Sequence, residues 1–374
     1  MEEPVTRHGY VDALRGLAIL AVLVNHCGPN GVEPYPDFFS RLVFEGMRGV
    51  QLFYIVSAFT LFYSMDARQG RGEGSLAAFF LRRFFRIAPL FYSAMLYYLW
   101  QDGFGPRYAS GDQPGITAAQ VLATFTFTFG ANPYWMNSIV PGGWSIAVEM
   151  PFYLTVPFLF RRIKDLKSAL WLLVGASILC QFLVHCLART ALVTDERLWS
   201  EYLYFFLPSQ FPVFVLGIVL YLVVAKGREM PLAMLLEGCS PPLLVLAALA
   251  IGHLVLGGLL PYHLLFGFGL CLLSYSLHLR PLSFLVNPLT ELLGRLSYSM
   301  YLTHPAVMHF MKSRGMIHFV DGNPIADFLV RFAVVTALTL LISSATYALI
   351  ERPGQSLGRR FIAGRKRQPD FQKD

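Results

Sequence analysis

The sequence predicts an all-α polytopic membrane protein with about ten transmembrane helices and both termini in the cytoplasm. Of its 374 residues, 55% are hydrophobic and only 14% are charged, whereas a soluble domain typically carries about 25% charged residues. Apolar stretches of spanning length recur along the whole chain, and basic residues are concentrated in the loops between them. A soluble fold is excluded because it could not remove so much apolar surface from water.

Ten stretches are long enough to cross a bilayer, which takes about 17 to 25 residues in a helix. They lie at about 10–27, 44–64, 86–101, 142–160, 168–188, 202–225, 242–258, 261–279, 290–311 and 328–350. A shorter, threonine-rich apolar run occupies 116–131. The basic loops at 82–86 and 161–167 share the cytoplasmic side, as the positive-inside rule requires, only if this run does not cross. We therefore expect it at the outer interface.

The chain is expected to form one transmembrane domain over 1–374, with its core at about 10–353 and a basic cytoplasmic tail at 354–374. The first apolar segment lacks a small-residue cleavage site and is expected to be a retained helix. The net charge of +7 is explained by basic loops beside anionic lipid headgroups, so no nucleic-acid partner is expected. The five cysteines have the spacing of neither a disulfide framework nor a metal site.

The first apolar stretch is the most informative, because Arg15 and His26 lie eleven residues apart within it. Eleven helical steps of about 100° bring both side chains to one face and separate them by about 16 Å along the axis. A charged side chain that faced lipid would cost several kcal/mol. This face should therefore line a polar path from Arg15, toward the cytoplasm, to His26 near the outer leaflet. Asp12 is expected to pair with Arg15.

Other polar residues stand in apolar segments, and each has two interpretations. Glu149 is either a site residue or a brace that hydrogen-bonds neighbouring helices. Arg83 and Arg86, three residues apart, either bind a phosphate group together or serve as an orientation signal. His304 is either catalytic or a packing residue, and Arg48 either contacts a polar substrate or snorkels to the membrane surface.

Two classes of function fit a histidine near the outer face, arginines near the inner face and a polar path between them. In group transfer, the arginines hold a phosphorylated donor and His26 acts as general base toward an acceptor hydroxyl or itself accepts the acyl group. In a proton-coupled transporter, the same residues form a proton relay. Transporters commonly have two similar halves. The halves of this chain do not resemble each other, which favours group transfer and leaves the transporter as the alternative.

Six motifs occur in order between residues 10 and 353: VDALRGLAILAVLVNH, GVQLFYIVSAFTLF, RRFFRIAPLFY, GGWSIAVEMPFYLTVPFLF, LGRLSYSMYLTHPAV and ERP. In sequence and order they resemble the acyltransferase 3 family of integral membrane O-acyltransferases. The resemblance implies transfer of an acyl group, usually acetyl, from acyl-CoA to a hydroxyl of a cell-surface glycan or a secreted small molecule. It implies acetyl-CoA as a co-substrate, no bound cofactor, and a multi-pass location in the plasma membrane, the inner membrane of a bacterium.

By position, the resemblance implies that His26 is the catalytic histidine and that Arg15 is its motif partner. Glu149 matches the acid of the Trp-Ser-x-x-x-Glu segment, and Arg83 and Arg86 match the arginine pair associated with the CoA donor. Further matches to the family motifs, and so further candidate site residues, are Ser297, Tyr298 and His304.

The chain departs from the family pattern at positions that bear on the acceptor. Gln51 and Ala58 stand where the family usually has an aspartate and a glycine, and Met150 stands where a second acid often follows Glu149. Some family members also carry a fused periplasmic hydrolase-like domain, which is not expected in these 374 residues. The acyl group would therefore pass directly to the acceptor or through a separate periplasmic relay protein.

Overall fold

The computed structural model describes residues 9–28, 34–70, 74–107, 115–190, 192–226 and 260–366. Within these ranges the regular structure is helical, which confirms the all-α prediction. The helices are α1 (Gly9–Cys27), α2 (Asp37–Glu45), α3 (Gly49–Gln69), α4 (Leu76–Asp102), α5 (Ala118–Phe125), α6 (Trp144–Arg162), α7 (Leu166–Ala188), α8 (Glu196–Phe205), α9 (Leu207–Lys226), α10 (Tyr262–Leu279), α11 (Pro288–Ser313), α12 (Pro324–Thr346) and α13 (Arg352–Lys366). A π-helical turn, Tyr347–Glu351, joins α12 to α13.

Six helical stretches of the described chain are long and apolar enough to cross a membrane. They are Gly9–Cys27, Asp37–Gln69, Leu166–Ala188, Glu196–Ala225, Tyr262–Leu279 and Pro324–Gly364. Three more predicted spans, 86–101, 142–160 and 290–311, are helical as parts of α4, α6 and α11 but are not among these six. The predicted span 242–258 lies outside the described residues. The count of ten and the cytoplasmic position of both termini remain predictions.

The apolar run at 116–131 does not form a spanning helix. Helix α5 covers only Ala118–Phe125, about 12 Å at 1.5 Å per residue, against a hydrocarbon core of about 30 Å. Thr117 ends the helix on its amino side, because its side chain and that of Gln120 form a reciprocal capping box. The rest of the run contains turns and a short 3₁₀ helix, Phe129–Ala131.

Two segments predicted as a basic loop and a basic tail are helical. The helix begins at Leu76, where the Ser75 side chain caps it, so the arginines of the 82–86 segment lie inside a continuous helix and not at its end. The predicted tail is helical over much of its length as α13, and the rings of Phe361 and Phe85 stack with centroids 5.6 Å apart. Residues 367–374 of the predicted tail lie outside the described chain.

Helix α1 occupies the centre of the bundle and packs most extensively against α11. A Cβ atom on Gly16 would collide with the carbonyl oxygen of Thr290, and one on Gly294 would collide with that of Asp12. Membrane helices associate by close packing through small residues, because lipid tails are as apolar as the side chains. The two glycines therefore bring the backbones of α1 and α11 into direct contact, close to Arg15.

The outer surface of α7 is apolar, which fits a helix that faces lipid. Trp171, Ile178, Leu179 and Phe182 are all more than 60% exposed. Apolar side chains at this density on one helix face would be unusual on a soluble protein. They place α7 at the periphery of the bundle, away from the candidate site.

Candidate active site

A cavity with a volume of about 80 Å³ opens between α1, α3, α4, α6 and α11. Its charged lining consists of Arg15, Arg83, Arg86 and Glu149. The structure thus brings together four predicted site residues from three helices. Because three guanidinium groups share the cavity with one carboxylate, the cavity favours an anionic ligand.

The arginines of the cavity are only partly satisfied by the protein. Nη2 of Arg15 donates to Thr60 Oγ1 at 3.1 Å, and Nη1 lies 3.6 Å from Asp12 Oδ1, which confirms the predicted pair. Nε of Arg83 is buried, and no described residue accepts a hydrogen bond from it. A buried donor without an acceptor costs free energy. An anionic group bound in the cavity would provide the acceptor.

Glu149 joins two walls of the same cavity. Its Oε1 accepts hydrogen bonds from the Ser57 hydroxyl at 2.5 Å and from the Tyr153 hydroxyl at 2.7 Å. Ser57 belongs to α3, whereas Tyr153 lies one turn after Glu149 on α6, so the carboxylate connects these two helices. This arrangement matches the interpretation in which Glu149 braces neighbouring helices through hydrogen bonds. The structure places Glu149 with the arginines and not with His26, which does not line the cavity.

His26, at the end of α1, forms a pair with His304 of α11. Nδ1 of His26 lies 3.1 Å from Nε2 of His304, and the ring centroids are 4.9 Å apart. His304 is only 2% exposed, and its Nδ1 lies 3.1 Å from the carbonyl oxygen of Met300. His26 itself is exposed. Two candidate residues that are 278 positions apart in the chain are therefore in direct contact.

The hydrogen bonds assign a tautomer to each ring. The Met300 carbonyl can only accept, so Nδ1 of His304 carries a hydrogen and, in the neutral ring, Nε2 is an acceptor. Nδ1 of His26 must then donate to it, and Nε2 of His26 is the nitrogen with the lone pair. This nitrogen can take a proton from a hydroxyl or attack an electrophilic carbon. The contact with His304 fixes the orientation of the His26 ring.

A buried arginine fixes the backbone beside His26. Arg331 of α12 is 1% exposed; its Nε donates to the Cys27 carbonyl at 3.1 Å, and its Nη2 donates to the Tyr35 hydroxyl at 2.7 Å. Nη1 donates to Asp327 Oδ2 at 2.7 Å. The sequence analysis did not identify this group. The available signal was an aspartate and an arginine four residues apart in an apolar segment, which share a helix face.

The remaining predicted residues divide between the cavity and a separate network. Ser297 and Tyr298 line the cavity. Arg48 does not: it is 7% exposed and donates to the Tyr204 hydroxyl at 2.7 Å and to Glu45 Oε2 at 3.0 Å. Its burial excludes the snorkelling alternative.

Several polar residues of the cavity were not identified from the sequence. Thr60 lies three residues after Ser57, and Tyr153 lies four residues after Glu149. Such spacings put polar groups on one face of an otherwise apolar helix, so the spacing could have identified both residues as candidates. Glu351 was noted only as part of the ERP motif, and the structure shows it 2% exposed, with Oε2 accepting from the Ser299 hydroxyl at 2.7 Å.

The fold and the site define an integral membrane protein with a cationic ligand cavity beside a histidine pair. The chain belongs to the acyltransferase 3 family, whose model, described as an acyltransferase domain, matches residues 8–348. This confirms the family predicted from the motifs.

Curated relatives of low sequence identity have names that agree with this family. Two Staphylococcus aureus proteins, from strains COL and MW2, each carry the name "Putative O-acetyltransferase". Each is 23% identical to this chain over 380 residues, covering 93% of this chain and 57% of the relative. The chain therefore spans little more than half the length of these relatives. No solved structure matches it significantly.

Proposed function

We propose that this protein is a plasma-membrane O-acyltransferase that moves an acetyl group from acetyl-CoA to a hydroxyl of a cell-surface glycan or a secreted small molecule. The observation that carries the proposal is that two helices contribute to both parts of the site. Helix α1 provides Arg15 to the cavity and His26 to the histidine pair, and α11 provides Tyr298 to the cavity and His304 to the pair. The same two helices thus hold the arginines and the histidine pair at a fixed separation, about 16 Å along α1, which the extended arm of the donor would span.

The cavity suits the CoA part of the donor. CoA carries phosphate groups, and guanidinium groups bind phosphates through paired, charge-assisted hydrogen bonds. Arg83 and Arg86 present two guanidiniums to the cavity, and Arg15 presents a third. A phosphate oxygen would also provide the acceptor for the buried Nε of Arg83. The positive-inside rule supports a cytoplasmic position for the arginines of the cavity.

The histidine pair suits the transfer step. As Nε2 of His26 takes the proton of the acceptor hydroxyl, the hydroxyl oxygen bonds to the thioester carbonyl carbon and the carbon–sulfur bond breaks. The CoA thiolate leaves and takes the proton from His26. In the covalent version, Nε2 bonds to the carbonyl carbon first, the carbon–sulfur bond breaks and CoA leaves as the thiolate. The hydroxyl oxygen then bonds to the carbonyl carbon as the bond to Nε2 breaks, and the hydroxyl proton passes to the released histidine nitrogen and from there to the thiolate. Both versions use the lone pair that the bond to His304 directs. The receiving hydroxyl belongs to the final acceptor or to a separate periplasmic relay protein.

The test is an assay of purified protein in detergent with radiolabelled acetyl-CoA and a panel of glycans. We expect the label to move to one acceptor class as free CoA is released. His26→Ala should reduce transfer by about 100-fold or more, the usual contribution of a general base. His309→Ala, at an exposed histidine of α11, is the matched control and should retain activity. A burst of about one free CoA per protein when acetyl-CoA is supplied without an acceptor distinguishes the covalent version, because only then does the donor pass its acyl group to the protein.

The transporter alternative predicts a different result. Protein reconstituted in liposomes would then take up a solute in response to a pH gradient and would consume no thioester. That outcome with wild-type protein, for every acyl-CoA supplied, would refute the proposed function.

A further inference from the structure

A second cavity of the described chain is lined by arginines. It has a volume of about 140 Å³ and lies between α3, α4 and α6. Arg68 of α3, Arg82 of α4 and Arg161 of α6 line it, and none of the described residues in its lining is acidic. Three guanidinium groups around a space of this size favour a small anion, and a phosphate group matches the geometry of their paired hydrogen bonds.

The same three helices also line the cavity that contains Arg15, the first cavity. On α3, Thr60 lines the first cavity and Arg68, eight residues later, lines the second. On α6, Tyr153 lines the first cavity and Arg161, again eight residues later, lines the second. Eight residues of helix rise by about 12 Å. Two separate helices therefore give the same separation between the linings of the two cavities.

The second cavity lies on the side of the first that is away from the histidine pair. Gly49, at the start of α3, packs against Val22 of α1, four residues before His26. Arg15 of α1 donates to Thr60, eleven residues further along α3. The two helices therefore run in opposite directions. The histidine pair, the first cavity and the second cavity follow one another along the bundle in this order.

The start of α4 adds backbone donors to the second cavity. Gly74, Ser75 and Leu76 line it, and α4 begins at Leu76. The first N–H groups of a helix lack partners within the helix and lie at the positive end of its dipole, which favours an anion. Further along α4, Arg82 lines the second cavity and its neighbour Arg83 lines the first, so this helix connects the two.

CoA carries phosphates in two places, and their order matches the order of the two cavities. From the thioester, the pantetheine arm leads to a diphosphate, and the ribose then joins the diphosphate to a separate 3′-phosphate. The nearer diphosphate phosphorus and the 3′-phosphorus are joined by about six bonds of about 1.5 Å each, so they lie at most about 9 Å apart. Long arginine side chains cover the remaining distance between the two cavities.

We infer that Arg68, Arg82 and Arg161 form a second phosphate site, which binds the 3′-phosphate of the CoA donor. The inference rests on the proposed acyl transfer, in which the arginines of the first cavity bind the diphosphate. The protein then selects acyl-CoA over donors that carry the pantetheine arm without a 3′-phosphate. No bond forms or breaks at this site, so its effect is on donor binding.

The experiment measures thiol release from acetyl-CoA and from 3′-dephospho-acetyl-CoA, with the acceptor that supports wild-type turnover. The wild-type KM should be about tenfold or more higher for the dephosphorylated donor, because charge-assisted hydrogen bonds to the phosphate are lost. The double variant Arg68→Gln/Arg161→Gln should raise the KM for acetyl-CoA by a similar factor and keep kcat. Its KM for the dephosphorylated donor should stay within about twofold of the wild-type value, because the group that the two arginines bind is already absent.

Arg162→Gln is the matched control. Arg162 follows Arg161 on α6, is exposed, lies over the Phe158 ring at 5.3 Å from the centroid, and lines neither cavity. The substitution removes the same charge from the same end of the helix. Both KM values of this variant should therefore equal those of the wild type.

Equal wild-type KM values for the two donors would overturn the inference, and this comparison needs no variant. A double variant with an unchanged KM for acetyl-CoA would overturn it too, as would one in which both KM values rise by the same factor. If thermal unfolding in detergent shows that the double variant is not folded, Arg161→Gln alone replaces it and should give a smaller increase. Wild-type protein that consumes neither donor refutes the proposed enzyme, whereas active protein with equal KM values refutes only the second phosphate site.

Discussion

Replacing His304 by phenylalanine should slow acyl transfer without weakening donor binding. The phenyl ring has nearly the shape of imidazole, so its packing against Tyr301 is kept. It has no nitrogen, so the 3.1 Å contact with Nδ1 of His26 no longer fixes the tautomer and orientation of the reacting ring. The cavity arginines are untouched.

The size of the effect follows from the bond that is lost. One neutral hydrogen bond contributes about 0.5 to 1.5 kcal/mol, and each 1.36 kcal/mol of barrier changes a rate about tenfold. We therefore expect kcat to fall about 2- to 13-fold. Loss of the base itself, as in His26→Ala, should cost about 10² to 10⁴. The KM for acetyl-CoA should stay within about twofold of the wild-type value, because the substitution leaves the residues that bind the donor unchanged.

The assay measures kcat and KM for His304→Phe, His26→Ala and the double variant, with His309→Phe as the control on the same helix. Because His304 acts through His26, the double variant should be no slower than His26→Ala alone. A His304→Phe defect as large as that of His26→Ala would refute this reasoning and make His304 the reacting group. A normal kcat with a raised KM would refute it too, since His304 would then contribute to donor binding.

Three further predictions concern the cavity and the topology. Changing Arg83 and Arg86 together to lysine keeps the charge but removes the paired hydrogen bonds. The KM for acetyl-CoA should therefore rise about tenfold, while insertion into the membrane is unaffected. An unchanged KM would mean that the pair serves only as an orientation signal. Glu149→Ala should lower the free energy of unfolding by about 1 to 3 kcal/mol, because two hydroxyls lose their acceptor. Glu149→Gln keeps one oxygen in place and should lower the free energy of unfolding less. Thermal unfolding in detergent measures both variants, and equal losses would contradict the bracing role. Single cysteines at the exposed positions Ala131 and Ser75, in a background without native cysteines, should react from opposite sides of the membrane with an impermeant thiol reagent. Labelling of both from one side would contradict the ten-helix topology.

Matched controls are available for the first two of these. Arg162 is an exposed basic residue at the end of α6 that does not line the cavity, so Arg162→Lys should keep the wild-type KM. Glu201 is partly exposed on α8, where it accepts from Arg197 at 2.9 Å. Such surface pairs contribute little to stability, so Glu201→Ala should unfold close to the wild-type temperature.

The spacing of Arg15 and His26 predicted that both lie on one helix face among polar groups; the structure places Arg15 in the cavity and His26 beside His304. The helical period is a local property, so a single segment was enough to place both on one face. The partner of His26 could not be predicted in this way, because the contact with His304 depends on how α11 packs against α1. The motifs identified His304 as a candidate, but only the packed structure shows which of its nitrogens faces His26.

The separation of Glu149 from His26 illustrates the same limit. The sequence predicted an acid in an apolar helix and left open what it contacts. Its partner Ser57 lies on α3, and no periodicity within α6 could reveal a contact with another helix. The start of α4 was placed too late because its first turns contain arginines, which lower the hydropathy of a segment that still forms a helix.

The direct contact of α1 and α11 bears on how the protein could move during turnover. Gly16 and Gly294 hold the two backbones together near one end, and Arg331 anchors the other end of α1 through the Cys27 carbonyl. The glycines hold α1 against α11 and Arg331 holds α1 against α12, so α1 cannot slide along either neighbour without breaking one of these contacts. Gly49 holds the start of α3 against α1 in the same way, so any widening of the cavity must come from α4 and α6. The distance between the two histidines would then stay constant through a catalytic cycle in which access to them opens and closes.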